Sequence, residues 1–222
     1  IKKARFVEGD KCVGCGECAE KCPTKVEDQF NVGLGQRKAI YKYFPQAVPS
    51  TYVIDPEHCR LFKGKKCGVC QKTCKAKAVN YEQKDEEILL DVGAVIMATG
   101  FDLYNVSALT EYGWGKIANV LTAMQFERMI CASGPTQGHL KRPSDGKEPK
   151  TLAFIQCVGS RDVRHKRYCS AVCCRHATKE AILAHEHYPN LSSTIFFMDM
   201  RAVGKGFQDY IQRAQPEYAL EY

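Results

Sequence analysis

Thirteen of the 222 residues are cysteine, and twelve of them fall into three groups whose spacing suits metal ligation. The first group is Cys12-Val13-Gly14-Cys15-Gly16-Glu17-Cys18-Ala19-Glu20-Lys21-Cys22-Pro23, a C-x2-C-x2-C-x3-C-P run. Runs of this form hold 4Fe–4S clusters. Cys12, Cys15 and Cys18 lie within seven residues on a tight, glycine-bearing loop, so three thiolates reach three corners of one cube. Where two clusters are present, the fourth cysteine of such a run ligates the other one. If that is so here, Cys22 implies a second cysteine group elsewhere in the chain.

That group is Cys59, Cys67, Cys70 and Cys74, whose last three members repeat the C-x2-C-x3-C spacing. Cys59 stands eight positions before Cys67, which makes Leu61–Lys66 an inserted loop, and Cys74 is followed by Lys75 rather than proline. Neither departure removes a ligand. The third group, Cys157, Cys169, Cys173 and Cys174, has an unusual adjacent pair. Its chemistry alone leaves two readings open, a metal or cluster site and a set of buried or redox-active thiols. Cys131 has no partner at ligand spacing and reads as a small buried hydrophobe. His165, His176, His185 and His187 surround the third group and read as surface residues, since four thiolates already complete a cluster.

Other chemistries compete for the same cysteines. C-x2-C pairs also bind zinc, and two tetrahedral sites would use eight of them, but the overlapping C-x2-C-x2-C triple is poor zinc spacing. Disulfide frameworks belong to small exported domains. Here the N-terminus, Ile1-Lys2-Lys3-Ala4-Arg5, lacks a signal-peptide apolar region and the cysteine count is odd. A reduced, cytoplasmic compartment follows. The chain lacks an initiating methionine and stops at Glu221-Tyr222 without a clear ending, so it reads as a piece of a longer polypeptide. No run of eighteen apolar residues supplies a membrane span.

The net charge is +7, and residues 1–83 hold all of the excess, sixteen Lys/Arg against nine Asp/Glu. A 4Fe–4S cluster with four thiolates carries about −2, so two clusters would remove much of it. The basic balance reads as compensation for clusters and as a docking face for an acidic electron carrier. Nucleic-acid binding is the rival reading: a zinc-stabilised basic module with salt-dependent affinity. A third reading is a ferredoxin-like carrier joined to an inert scaffold.

The elements must bring these groups together. Ala4–Val7 is expected as a short strand before the first loop, with Gly16–Lys21 as one or two helical turns. Thr24–Ile54 is expected as a long interruption, with Gly33-Leu34-Gly35 a loop and Pro45 and Pro49 barring regular structure. Tyr52–Asp55 and Ala78–Tyr81 flank the second group as strands. From Lys84 the composition changes. Glu87–Asp91 and Gly93–Met97 read as strands, the second a buried one, running into Ala98-Thr99-Gly100. Thr122–Gln125 has the form of a capping box opening a helix closed by Gly134-Pro135. Thr151–Gln156 reads as a buried strand. Ser170 is expected to cap a helix to about His187 that carries Cys169 and Cys173 at its start. Ser192–Met198 follows as a strand and Gly206–Gln215 as an amphipathic helix. With 45% apolar residues, the chain can support one large or two modest domains.

Strand, cysteine loop and short helix, given twice over residues 1–83, resemble the two-cluster bacterial ferredoxin fold. By that pattern one cluster takes Cys12, Cys15, Cys18 and, crossing over, Cys74; the other takes Cys59, Cys67, Cys70 and Cys22. Ala98-Thr99-Gly100 after an apolar strand is similar to a turn of the two-dinucleotide-binding flavoproteins, the thioredoxin reductases among them, whose backbone lies against FAD. The G-x-G-x-x-G that holds the FAD pyrophosphate in that family is not in this chain, so the main adenosine site falls outside it.

A larger resemblance spans nearly all 222 residues. Cys157-Val158-Gly159-Ser160-Arg161-Asp162 with Tyr168-Cys169-Ser170-Ala171-Val172-Cys173-Cys174 resembles the A subunit of heterodisulfide reductase. So do Gly33–Ile40, Phe44–Pro49 and Asp199–Gly206. The resemblance implies an α+β two-cluster ferredoxin module at 1–83, followed at 84–222 by part of an α/β thioredoxin-reductase-like FAD domain. It also implies a third cluster on Cys157, Cys169, Cys173 and Cys174, a FAD near Ala98, Thr99, Gly100 and Lys205, and electron relay or bifurcation as the function. The partners it implies are other heterodisulfide-reductase-type subunits, a hydrogenase or formate dehydrogenase input subunit, and ferredoxin. Related flavin subunits serve sulfate respiration and aromatic-acyl-CoA reduction. No residue reads as a general base or nucleophile, so the chemistry belongs to the cofactors.

Overall fold

The computed structural model describes residues 1–222, and the chain divides into two compact units, Ile1–Thr99 and Gly100–Tyr222. In the first unit each cysteine loop runs into one short helix, α1 (Glu17–Lys21) and α2 (Val69–Thr73). Glycine makes the first loop possible. Gly14 sits at φ +71°, and a Cβ there would come within 2.5 Å of the Ser50 carbonyl oxygen. Gly16, at φ +88°, occupies the left-handed N-cap of α1. Both helices end on an extended cysteine, Cys22 and Cys74.

Two small antiparallel hairpins complete the unit. β1 (Lys25–Glu27) pairs with β2 (Gln36–Lys38), and β3 (Ile40–Tyr41) pairs with β4 (Val53–Ile54). All four strands lie inside the expected interruption at 24–54, only β4 falling on an expected strand, and Gly33 sits in the turn of the first hairpin. Ala4–Val7 and Ala78–Tyr81 form no regular strands but meet in a single antiparallel bridge, Val7 to Val79. The core consists of Val7, Ala39, Ile40, Ile54, Ala78 and Val79, and Cys18, Cys59 and Cys70 are buried in it. Beside it Arg37 forms a 2.8 Å ion pair with Asp55, with both side chains nearly covered, and its guanidinium lies 3.8 Å from the centre of the Tyr41 ring. Burial alone would raise the Asp55 carboxyl, but hydrogen bonds from Arg37 and His58 outweigh it and hold the group below its ordinary value.

The expected strands at Glu87–Asp91 and Gly93–Met97 do not form. That stretch is irregular and open to solvent, with Leu89 89% and Ile96 91% exposed. The apolar run marks a segment able to be buried, but a strand also needs a neighbour for its N–H and C=O groups, and none of the strands pairs with it.

The second unit is a parallel α/β arrangement. α3 (Ala123–Ile130) starts with the expected capping box, in which Thr122 Oγ1 accepts from Gln125 N–H and the Gln125 side chain accepts from Thr122 N–H. β5 (Thr151–Ile155), β6 (Ser192–Phe196) and β7 (Leu220–Glu221) form a parallel sheet in that order, with Ala153 opposite Thr194. Between β5 and β6 runs α4 (Cys173–His187), and between β6 and β7 runs α5 (Phe207–Tyr218). β5 alternates between exposed and half-buried residues rather than being buried throughout, because it is the edge strand and only its Leu152–Phe154 face meets the helices. α4 joins the two cores. Its Ala184 packs with Phe126, Met129 and Leu191, whereas Ala177, Ala181 and Ile182 pack with Ile195, Ala214 and Leu220. No helix is long and apolar enough to cross a membrane.

Candidate metal centres

None of the thirteen cysteines is in a disulfide. In the first unit they line two cavities. One, of about 140 Å³, is lined by Cys12, Cys15, Cys18 and Cys74; the other, almost closed at about 20 Å³, by Cys22, Cys59, Cys67 and Cys70. The exchange of Cys22 and Cys74 follows from the pairing of the helices. α1 and α2 pack on each other, so the residue ending each helix is delivered to the cavity of the opposite loop.

Burial and mutual proximity disfavour bare thiolates in these cavities. Burial pushes the Cys18 thiol up to about 12; the Ala19 N–H offsets part of this, and the neighbouring Cys70, Cys12 and Cys15 add to it. Burial also raises Cys70, with hydrogen bonds from Tyr81 and the Gln71 N–H opposing it. Crowded, buried thiolates of one sign are stable only with positive metal among them. The donor sets fit this. Each cavity presents four sulfurs, and some of them have ready donors: Tyr81 Oη lies 3.0 Å from Cys70 Sγ, and the Ala78 N–H donates to Cys74 Sγ at 3.4 Å. Burial, then the Cys70 contact, raises the Tyr81 phenol above its ordinary range, so it keeps its proton, and toward a metal-bound Cys70 sulfur, which has none, it can only donate.

The third group assembles in the second unit at the carboxyl end of β5 and the N-terminus of α4. Cys157 follows β5 in the left-handed region at φ +59°, as does Ala171 at φ +59°, backbone states that cost non-glycine residues and cluster at functional sites. The following turn is held by Ser160 N–H donating to the Cys157 carbonyl and by Tyr104, whose ring fills the space a Gly159 side chain would need. Cys173 and Cys174 open α4. Burial raises the Cys174 thiol, the Arg201 N–H opposes this, and Cys173, Cys157 and Cys169 add to it, so the four thiols lie in one another's fields. The Ala171 N–H donates to Cys169 Sγ at 3.3 Å, and Ser170 Oγ to Cys173 Sγ at 3.7 Å. Arg161 forms an ion pair with Asp199, tying the cysteine loop to the segment after β6.

Several expectations need correction here. Val172, not Ser170, is the N-cap of α4, and Cys169 precedes the helix rather than starting it. Ser170 is instead turned to Cys173. Cys131 is only partly covered; hydrogen bonds from Ser133 lower its thiol. His176 is not a free surface residue, because its Nε2 lies 2.7 Å from Glu127 Oε2. Ala98, Thr99 and Gly100 are exposed in the irregular stretch, and Lys205 is exposed in the turn before α5. Tyr81 escapes sequence reasoning because its place, seven residues beyond Cys74, carries no ligand spacing.

A protein with two four-cysteine cavities in a small α+β unit is an iron–sulfur protein of the ferredoxin type. The 4Fe-4S binding domain family matches residues 6–26. All 222 residues align at 48% identity with the iron-sulfur A subunit of the CoB–CoM heterodisulfide reductase of Methanocaldococcus jannaschii, covering 33% of that protein. They align at 50% identity with the A subunit of the H(2)/formate:CoB-CoM heterodisulfide,ferredoxin reductase of Methanococcus maripaludis, again over 33% of it. The A subunit of the Ferredoxin/F(420)H(2)-dependent CoB-CoM heterodisulfide reductase of Methanosarcina acetivorans is 47% identical over 216 residues, 96% of this chain and 27% of that protein. The chain spans about a third of the length of the curated relatives it matches. It is homologous along its whole length to part of the A subunit of heterodisulfide reductase.

Proposed function

We propose that the chain is the electron-relaying part of a heterodisulfide-reductase-type iron–sulfur and flavin subunit. The observation that carries this reading is the pair of cavities, each with four cysteines and each taking one cysteine from the other's run. In this reading Cys12, Cys15, Cys18 and Cys74 hold one 4Fe–4S cluster, and Cys22, Cys59, Cys67 and Cys70 a second. Cys157, Cys169, Cys173 and Cys174 hold a third. When bound, such clusters supply one-electron transfer, at potentials set by ligands, burial and hydrogen bonds to sulfur. The residues of the chain set those terms. Ile40, Ile54 and Val79 exclude water, and Tyr81 and the backbone donors at Ala78, Gln71 and Ala19 stabilise charge on sulfur.

In this reading residues 1–83 are the ferredoxin module, and 84–222 contribute part of a thioredoxin-reductase-like FAD domain. The parallel β5–β6–β7 sheet supports this, since ligands in such sheets bind beyond the carboxyl ends of the strands. Ala98, Thr99 and Gly100 present a small-residue backbone with nothing within 4 Å of a Cβ added at Gly100, which suits close approach by a flavin. Lys205 is assigned to the same cofactor. The names of the relatives support partners of the same system: other heterodisulfide-reductase subunits, a hydrogenase or formate dehydrogenase input subunit, and ferredoxin. The setting is a reduced cytoplasm, and electron bifurcation at the FAD is the fullest form of the role.

Anaerobic reconstitution followed by iron and sulfide analysis tests this reading. About twelve irons and as many sulfides per chain are expected from three four-iron clusters. A colourless protein with two or three zinc ions and salt-dependent affinity for DNA or RNA would replace it with a zinc-stabilised nucleic-acid-binding module.

A further inference from the structure

Where α3 packs on α4, four titratable side chains meet that belong to none of the cysteine groups. Glu127 comes from α3, and His176, Lys179 and Glu180 from α4. Lys179 Nζ lies 2.7 Å and 2.5 Å from the two Glu127 oxygens, and His176 Nε2 lies 2.7 Å from Glu127 Oε2. Glu180 is the odd member. It is wholly buried, neither of its oxygens has a hydrogen-bond partner, and Oε1 faces His176 Nε2 at 3.5 Å. A buried carboxylate without partners is among the costliest groups a fold can carry. The one lysine nearby is committed to Glu127, so the inward-pointing Glu180 carboxyl has only the His176 ring nitrogen, at 3.5 Å, facing it.

Helical spacing puts His176 and Glu180 on one face, one turn apart, and Glu127 closes the third side from the opposing helix. Glu127, His176 and Glu180 each offer one ligand atom, and these atoms all lie within 4.8 Å of one another. We propose that Glu127, His176 and Glu180 form a binding site for one divalent first-row transition-metal ion of the zinc and manganese class. Tetrahedral ligation at about 2.1 Å spaces ligand atoms about 3.4 Å apart, close to the 3.5 Å between His176 and Glu180. The Glu127–His176 separation has to widen by about 0.7 Å to match. Lys179 is compatible with the site: it stays on Glu127 Oε1 as an outer clamp while Oε2 turns to the metal. Two carboxylates cancel the charge of the ion, and one imidazole with two oxygens suits zinc or manganese rather than a soft, thiolate-seeking ion. Burial pushes the Glu180 carboxyl up to about 9, with Glu127 adding and Lys179 opposing, so the ion would displace its proton on binding. The fourth position is left for water.

Manganese is the suitable probe because it prefers oxygen ligands over thiolates and does not compete for the cysteines. Mn2+ binding to the full chain, isolated anaerobically, is read by EPR of free Mn2+ and by the thermal midpoint with and without the ion. One bound Mn2+ per chain and a raised midpoint are expected. Glu180→Gln and Glu127→Gln should each weaken binding at least tenfold and abolish the midpoint shift, with the iron content unchanged. Equal Mn2+ binding by Glu180→Gln and the parent chain, or no saturable binding by the parent chain, would overturn the proposal. Glu180→Gln keeps the shape and neutrality of a protonated carboxyl, and circular dichroism checks that it is folded. If it is not, Glu127→Gln at the half-exposed position decides: unchanged Mn2+ binding in that variant refutes the site.

Discussion

Replacing Tyr81 by Phe removes one hydrogen bond from a ligand sulfur and little else. The hydroxyl is 3.0 Å from Cys70 Sγ, and the ring is held separately by an edge-on contact with Phe62 at 6.1 Å. A hydrogen bond to a charged acceptor contributes about 1.5–3 kcal/mol. A cluster passing from about −2 to about −3 concentrates more charge on its sulfurs, and about a third of that energy, roughly 0.5–1 kcal/mol, favours the reduced form. With 59 mV per tenfold for a one-electron couple, and about 1.4 kcal/mol per tenfold, the loss lowers the midpoint by about 20–45 mV. An EPR-monitored redox titration of the reconstituted protein should show one cluster shifted down by this amount and the others unmoved. Tyr52 supplies the contrast, since it lines the first cavity without a hydrogen bond to sulfur, and Tyr52→Phe should shift its cluster less. An unchanged midpoint in Tyr81→Phe, or a shift upward, would refute the claim that this phenol tunes the second centre.

Substituting Cys173 and Cys174 together by Ala should remove about four irons and one EPR signal and spare the other two; an unchanged iron count would retire the third centre. Asp55→Asn leaves Arg37 buried without its carboxylate and should cost about 3–5 kcal/mol, read by denaturant unfolding of the apo and loaded protein; a loss under 1 kcal/mol would show that the pair does not brace the core. The Asp55 carboxyl is held below its ordinary value in the folded state, so its contribution is present above the unfolded value of about 3.9 and is lost as pH falls through the folded one. The parent chain should therefore lose stability on acidification more steeply than Asp55→Asn, and parallel pH profiles would contradict this. Gly14→Ala forces a left-handed φ on alanine and a Cβ against the Ser50 carbonyl at 2.5 Å; about 1–3 kcal/mol of destabilisation and poorer loading of the first centre are expected, and full loading with an unchanged melting midpoint would contradict it.

The cysteine groups could be picked out in the sequence because ligand spacing is a local property, and the exchange of Cys22 and Cys74 was implied by the resemblance to two-cluster ferredoxins. The capping box at Thr122 and Gln125 was legible for the same reason. Features that depend on a distant partner were not. Gly93–Met97 has the composition of a buried strand but stays exposed, because burial requires a neighbouring strand that periodicity does not supply. The opposite error hid β1 and β2: Lys25-Val26-Glu27 and Gln36-Arg37-Lys38 carry almost no apolar pattern, so their pairing is visible only in three dimensions. The i,i+4 pair of His176 and Glu180 could be read on α4, but Glu127, which completes the cluster, lies 49 residues from His176. Tyr81 and the Arg37–Asp55 pair are likewise tertiary facts.

We propose that twelve cysteines of this chain hold iron–sulfur clusters in three four-sulfur sets. Quantifying iron and acid-labile sulfide in anaerobically reconstituted protein, with EPR of the dithionite-reduced sample, tests it most directly. Three such clusters require about twelve irons, a matching sulfide content and three reducible 4Fe–4S signals; fewer than four irons per chain would overturn the assignment.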